Sequence, residues 1–414
     1  MATDARVQPG AWAAVGFLWF VAFFNYAARL MLTTMHQSIL ESFPITDAQF
    51  GLLTSLFLWT YGLCSPLAGF LSDRFSRSRV ITLSLFSWSM ATWLTAYAKN
   101  YHQLLALRAL MGASEACYMP AALALITDYH RGSTRSLAVG IHMTGLVIGG
   151  ALGGLGGWLA ELRTWHFAFS LVGVVGVVYS GALVLGLRDA SREDIEENGG
   201  DNGADRVGFA RALASLFNRG PYLILLPYVA LTATISWTVV GWMPTYLKEH
   251  FLLSQGQAGL SATGYFNFAG LLGILISGLW ADRWNLTRAR GYILVASIGA
   301  FAAAPGILLV GKENILAWAV LGLILYGFFV EFYDSTLMPI LCQIVDSRYR
   351  ATGFGVINLI ATTFGGLGLY FTGVIRDLRF DTGRIFVLAA IGQFGCGALV
   401  LLVNPAGRKS SHAK

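Results

Sequence analysis

Two charged residues stand where charge is costly. Arg29 lies inside the first long apolar stretch, in "FFNYAARLML", residues 23–32. Glu115 falls near the midpoint of another, in "LRALMGASEACYMPAALALI", residues 107–126. Charges inside hydrocarbon mark pathways, pairs or binding sites. Asn25 and Arg29 are four apart and so share a helical face, with Tyr26 beside them. A guanidinium stays charged and presents a planar fork that suits carboxylate or phosphate. The competing role for Arg29 is snorkelling to the outer headgroups. Arg108 and Gly112 fall on the face of Glu115. A carboxyl at that depth needs either a cation or a proton beside it, which makes Glu115 a candidate proton carrier. The competing role is a fixed Glu–Arg pair that holds helices together.

A second acidic pair occurs in "LILYGFFVEFYDSTLMP", residues 323–339. Glu331 and Asp334 are three apart on one face, and two carboxylates so close cannot both ionise cheaply in a low dielectric. Either one carries a proton, or they pair with Arg348 or Arg350. His142 could relay protons or bond a substrate hydroxyl, or serve in packing. Tyr118, Trp237, Asn358, Asn267 and Tyr326 are weaker candidates for lining a cavity, the aromatic ones being open to packing or lipid contact instead. Cys64, Cys117, Cys342 and Cys396 lack metal-ligand spacing and read as small packing residues. The glycine run "GLVIGGALGGLGG", residues 145–157, has no lysine in the position a phosphate-binding loop requires and reads as helix packing. No catalytic triad, metal cluster or nucleotide motif is present in the sequence. The expectation is therefore no enzyme, no cofactor, no nucleic-acid partner, and an ion gradient as energy source.

The elements that must position these residues are long and apolar. Of 414 residues, 56% are hydrophobic and only 12% charged, about half the charged share of a soluble domain. The apolar runs last about 20 residues, enough for helices to cross a bilayer of roughly 30 Å and too long for the strands of a transmembrane barrel. Twelve spans are expected, at 11–35, 50–71, 80–98, 103–127, 136–160, 166–187, 221–247, 258–280, 290–310, 315–341, 350–375 and 383–403. The charged interval 188–220 divides them into six and six, giving bundles at 1–187 and 221–414 with a linker between. "VGFARALASLFN", residues 207–218, has the apolar spacing of a short interfacial helix. The N-terminus lacks the pattern of a cleaved signal peptide. With the N-terminus cytoplasmic, 19 of the 28 Lys and Arg residues fall on the cytoplasmic side, so both termini and the linker are expected inside.

The halves repeat. "GFLSDRFSRSRV" (69–80) follows the second span, and "GLWADRWNLTRAR" (278–290) follows the eighth. Gly69 and Gly278 would permit close helix approach. Asp73 and Asp282 would face a helix N-terminus, and Arg74 and Arg283, with Arg77 nearby, would pair with acids at neighbouring helix ends. Duplicated halves are a common build for secondary transporters.

Twelve spans, a central loop and this doubled motif resemble the major facilitator superfamily. That resemblance implies an all-α membrane protein of two six-helix bundles around one central site, exposed to either side in turn. "N-Y-x-x-R" in span one and "R-x-x-x-G-x-x-E-A" in span four resemble its anion:cation symporter branch, as does "TWHFAFSLVGVVG" (164–176). The branch implies substrates such as sugar acids, aromatic acids and dicarboxylates, often carried with protons. It implies that Arg29 binds the substrate carboxylate and that Glu115 takes the proton. The branch commonly has an aspartate immediately before the arginine, where this sequence has Ala28. The same segments also resemble the spinster-like branch, which handles lysolipids and sphingoid lipids. The expectation is a monomeric, proton-coupled carrier of a small organic anion in a bacterial inner membrane. An amphiphile transporter and a non-transporting sensor are the alternatives.

Overall fold

The computed structural model describes residues 10–130, 134–190, 209–312 and 315–404, and every regular element among them is helical. In the first half, α1 (Ala11–Met31) runs through a short 3-10 turn (Leu32–Met35) into α2 (His36–Ser42). Then follow α3 (Asp47–Arg74), α4 (Arg77–Thr95), α5 (Tyr101–Glu115), α6 (Tyr118–Tyr129), α7 (Arg135–Leu152), α8 (Leu155–Leu162) and α9 (Trp165–Gly186). The short α10 (Phe209–Phe217) occupies the place expected for an interfacial helix. The second half contains α11 (Gly220–Phe251), α12 (Gln255–Thr287), α13 (Gly291–Lys312), α14 (Leu316–Val330), α15 (Phe332–Ile344), α16 (Arg350–Asp377) and α17 (Thr382–Leu401). Most of the expected linker, residues 191–208, lies outside the described residues.

Eleven helical runs among the described residues are long and apolar enough to span a membrane. The remaining expected span is α4, whose many serines and threonines hold its hydropathy down. Those hydroxyls are already satisfied. Thr82, Thr92 and Thr95 each donate to the carbonyl four residues back, and Ser84 donates to Ser114 O at 2.6 Å. A helix that hides its polar groups this way can sit in a bundle despite its composition. The polypeptide is an all-α polytopic membrane protein of twelve transmembrane helices.

Local sequence sets the helix starts. Thr46 caps α3 in a capping box with Gln49, Asn100 caps α5, Thr164 caps α9 and Asp381 caps α17. The glycine run acts as expected. A Cβ on Gly149 would stand 2.2 Å from Phe23 O, and one on Gly145 2.6 Å from Trp19 O, so α7 lies directly on the backbone of α1.

The chain divides into two compact units. One comprises residues 1–205, 241–264 and 369–377, and the other 206–240, 265–368 and 378–414. The first unit thus takes in one end each of α11, α12 and α16. Within it α1 packs on α7, α3 on α5, and α4 on α9; within the second, α13 packs on α14 and α17.

The repeated loops differ from expectation in their contacts. A Cβ on Gly69 or Gly278 would meet nothing within 4 Å, so neither glycine is required for a close approach in this structure. Arg74 is exposed, with its guanidinium 5.8 Å from the Phe70 ring, and among the described residues neither it nor Arg283 forms an ion pair. Arg77 takes that role. It pairs with Asp128 at the end of α6 and donates to Ala124 O at 3.1 Å. One residue further on, the N-terminus of α4 is held by Asp189, which accepts from Ser78 N–H at 2.7 Å. Asp282 accepts the Tyr292 hydroxyl at 2.8 Å rather than capping a helix, and the side chain of Asp73 lies outside the described ones.

Candidate functional site

Within the first unit, α5 ends at Glu115 and α6 begins at Tyr118, but Ala116 and Cys117 keep helical dihedrals, so the fourth span runs on past its buried carboxylate with only a local irregularity. A carboxylate buried in the middle of a span needs a cation or a proton nearby. Arg29, in the last turn of α1, supplies the cation. Its Nη2 stands 3.6 Å from Glu115 Oε1. Glu115 is fully buried and Arg29 is 7% exposed. At that separation the contact is an ion pair longer than a hydrogen bond, so the two charges attract without being geometrically locked. Asn25, one turn before Arg29, lies against the same carboxylate and is 1% exposed.

Aromatic rings enclose the guanidinium. It lies 4.8 Å from the Tyr26 ring centroid and 5.0 Å from those of Phe57 and Tyr61. Such faces attract a cation by their quadrupole. The Phe57 ring serves a second cation, Arg108, at 4.9 Å. Arg108 is buried, and its Nε donates to Leu53 O at 3.4 Å. The cluster therefore holds two permanent cations and one carboxyl in a low dielectric. With Glu115 ionised its formal charge is +1, a setting that favours an incoming anion.

Phe57 and Tyr61 were not singled out by the sequence reading, which took the second span for its loop motif alone. Their signal was an aromatic pair four apart, stacked at 6.2 Å and close enough on one face to flank a cation. Tyr118, a candidate for lining a cavity, and His142, read as a proton relay or a packing residue, are as buried as the cluster itself. Tyr118 is fully buried with its hydroxyl donated to Leu18 O at 2.8 Å, and His142 is fully buried with its ring 5.9 Å from that of Tyr118.

The second unit shows the same local irregularity, again without an interruption of the span. α14 ends at Val330 and α15 begins at Phe332, leaving Glu331 at the junction of span ten as Glu115 is in span four. The Glu331 side chain rests on Gly270 of α12, where a Cβ would stand 3.0 Å from its Cγ. The Glu331 and Asp334 carboxyl groups interact directly with each other. Their suggested cation partners are engaged elsewhere or stand apart. Arg350 donates to Cys342 O at 3.1 Å, Arg348 is exposed, and neither forms an ion pair with this acidic pair among the described residues. Trp237 and Asn358 are half-buried in the second unit; Trp237 packs on Gly365, while Asn358 O accepts from Thr362 at 2.9 Å. Tyr326 is buried and donates to Ser236 at 3.3 Å.

A family model described as the Major Facilitator Superfamily matches residues 18–369. The chain belongs to that family. It is a transporter, not an enzyme, and an integral membrane protein. This facilitator is 30% identical to the D-galactonate transporter of Escherichia coli strain CFT073, over 92% of this chain and 93% of that one. It is 24% identical to Protein spinster of Drosophila melanogaster, over 88% of this chain and 62% of that longer one. Its fold matches the crystal structure of a bacterial homolog of the human lysosomal transporter Spinster in an inward-facing, occupied conformation. The TM-score is 0.77 at 21% identity, over 96% of this chain and 95% of that one.

Proposed function

We propose that this facilitator carries a small monovalent organic anion, a sugar acid or similar carboxylate, together with a proton. The observation that carries the reading is the ion pair of Arg29 and Glu115 beside Arg108. A substrate carboxylate has the same charge and shape as the Glu115 side chain. It can replace Glu115 as the counter-ion of Arg29, with the fork of the guanidinium binding both oxygens. Glu115 is then left buried without its cation partner and takes up a proton. The charge count is unchanged by this exchange. The empty cluster holds two arginines and one carboxylate, formally +1. The loaded one holds two arginines, a neutral Glu115 and one anion, again +1. One proton thus accompanies one monovalent anion, and translocation moves no net extra charge through this cluster. Ala28 fits that count, since it offers no second carboxyl beside Arg29.

The similarity to a D-galactonate transporter supports the anion class. The excess of Arg and Lys on one side supports an orientation with both termini cytoplasmic, and the similarity to an Escherichia coli transporter supports a bacterial inner membrane. Tyr26, Tyr61 and Asn25 would receive substrate hydroxyls around Arg29. Glu331 and Asp334 would supply a further titratable pair. The test is counterflow with a panel of sugar acids and other carboxylates in proteoliposomes. Uptake of at least one such acid is expected, and its retention in Arg29→Gln would overturn the reading.

A further inference from the structure

A cavity of about 340 Å³ lies in the first unit, at the end opposite the repeated loop. Its walls come from the 3-10 turn after α1, from α2, and from the parts of α11 and α12 that belong to this unit. The lining is polar at its base as well as at its rim. Thr33, Thr34, His36 and Thr245 line it and are all buried. Among the described residues its apolar lining is Leu40 and Pro244 alone, so an acyl chain has no wall to lie against. A small hydroxylated solute suits such a surface better than an amphiphile.

Several groups in the cavity have bonding capacity to spare. The Thr245 hydroxyl is 3% exposed and has no hydrogen-bond partner. A buried hydroxyl in that state carries a desolvation cost, which a ligand hydroxyl would offset. Thr33 and Thr34 donate to Leu30 O and Met31 O, both at 2.8 Å, and their oxygens can still accept. Lys248 is half-buried and forms no ion pair among the described residues. The two acids beside it differ. Arg376 Nη2 donates to both carboxylate oxygens of Glu249, at 2.8 and 3.1 Å, so that charge is matched. Glu41 accepts from the uncharged Gln37 amide and keeps lone pairs for further donors.

This set of groups complements one type of ligand. The Lys248 ammonium calls for a carboxylate. Glu41 and the three threonines call for several hydroxyls. An acid without hydroxyls would leave Thr245 unpaired, and a neutral polyol would leave Lys248 unpaired. The location is also informative. Thr33 follows Arg29 by four residues in one continuous helical run, roughly 6 Å further along its axis.

We propose that this cavity is a second subsite for a polyhydroxy carboxylate, one helical turn from Arg29. Lys248 binds the carboxylate, while Glu41 and Thr245 bind hydroxyls. The choice of ligand rests on the anion reading of Arg29, but the residues are separate from that cluster. With one half-buried lysine in place of two buried arginines, this is the weaker of the two sites.

The test titrates D-galactonate against the purified full chain and reads weak binding by saturation-transfer NMR. Arg29→Gln silences the first site. Transfer to D-galactonate is expected to persist in that variant. Adding Lys248→Gln should weaken it roughly fivefold or more, the loss of one partly exposed charged contact. Hexanoate, which lacks hydroxyls, and galactitol, which lacks the carboxylate, should both bind more weakly than D-galactonate in Arg29→Gln. No transfer in Arg29→Gln overturns the proposal and leaves the Arg29 reading intact. Transfer unchanged by Lys248→Gln overturns it as well, as does hexanoate or galactitol binding as tightly as D-galactonate. Failure of the Arg29 reading shows separately, as equal binding by wild type and Arg29→Gln. If Arg29→Gln does not fold, wild type is titrated instead. Two binding phases are then expected, the weaker one removed by Lys248→Gln, and a single phase unaffected by Lys248→Gln overturns the proposal.

Discussion

Arg29 Nη2 and Glu115 Oε1 are 3.6 Å apart at the ends of two different helices, α1 and α5, with the Phe57 ring linking the pair to a second arginine. The pair is close enough for each charge to offset the burial of the other, and loose enough for a carboxylate to intervene.

Arg29→Gln should remove most anion binding. Truncating one partner of a buried charge pair costs about 2–5 kcal/mol, or roughly 30-fold and upward in affinity. Arg29→Lys keeps the charge without the planar fork and should recover only part of it. Binding of the transported acid to purified protein, by calorimetry, reads this directly.

The affinity should depend on pH with a definite sign. Loading converts Glu115 from an ionised partner of Arg29 to a protonated carboxyl, so binding takes up a proton. Affinity is therefore highest in acid and weakens as pH rises, by at most about tenfold per unit for one linked proton. A binding series across pH in wild type and Glu115→Gln checks it. The variant, in which Arg29 is already free of a carboxylate, should bind more tightly at neutral pH and show no slope.

The glycine stripe should be intolerant where it touches backbone and indifferent where it does not. Gly149→Val places atoms against Phe23 O and should cost at least about 1–3 kcal/mol, seen as a lowered melting temperature in detergent. Gly69→Ala and Gly278→Ala meet open space, so their melting temperatures should match wild type.

The paired arginine of the first repeated loop is Arg77, not Arg74. The Arg77–Asp128 pair is partly exposed, so its contribution is modest, up to about 1 kcal/mol. In a double-mutant cycle on thermal stability, Arg77→Gln and Asp128→Asn should be non-additive, while Arg74→Gln and Asp128→Asn should be additive.

Much of this was legible in the sequence because a bilayer imposes long apolar helices and penalises every internal charge. Arg29, Glu115, Arg108 and Asn25 stood out for that reason, and their spacing placed each on one helical face. What the spacing within a helix cannot give is the partner on another helix. Phe57 and Tyr61 look like ordinary lipid-facing or packing aromatics until α3 is laid beside α1. Tyr118 and His142 have side chains suited to a cavity, but Tyr118 donates across to Leu18 O and the His142 ring lies against that of Tyr118. The polar α4 was expected as a span from the sequence, and its hydroxyls bonded to carbonyls show how such a composition is tolerated there.

The central claim is that Glu115 carries the proton that the anion displaces into it. It is tested most directly by comparing two modes of transport in the same proteoliposomes, with wild type and Glu115→Gln. Counterflow needs only binding and movement of the anion, whereas accumulation against a gradient needs the proton. The account predicts that Glu115→Gln keeps counterflow within a few-fold of wild type and loses proton-driven accumulation. Accumulation that persists in Glu115→Gln would contradict it.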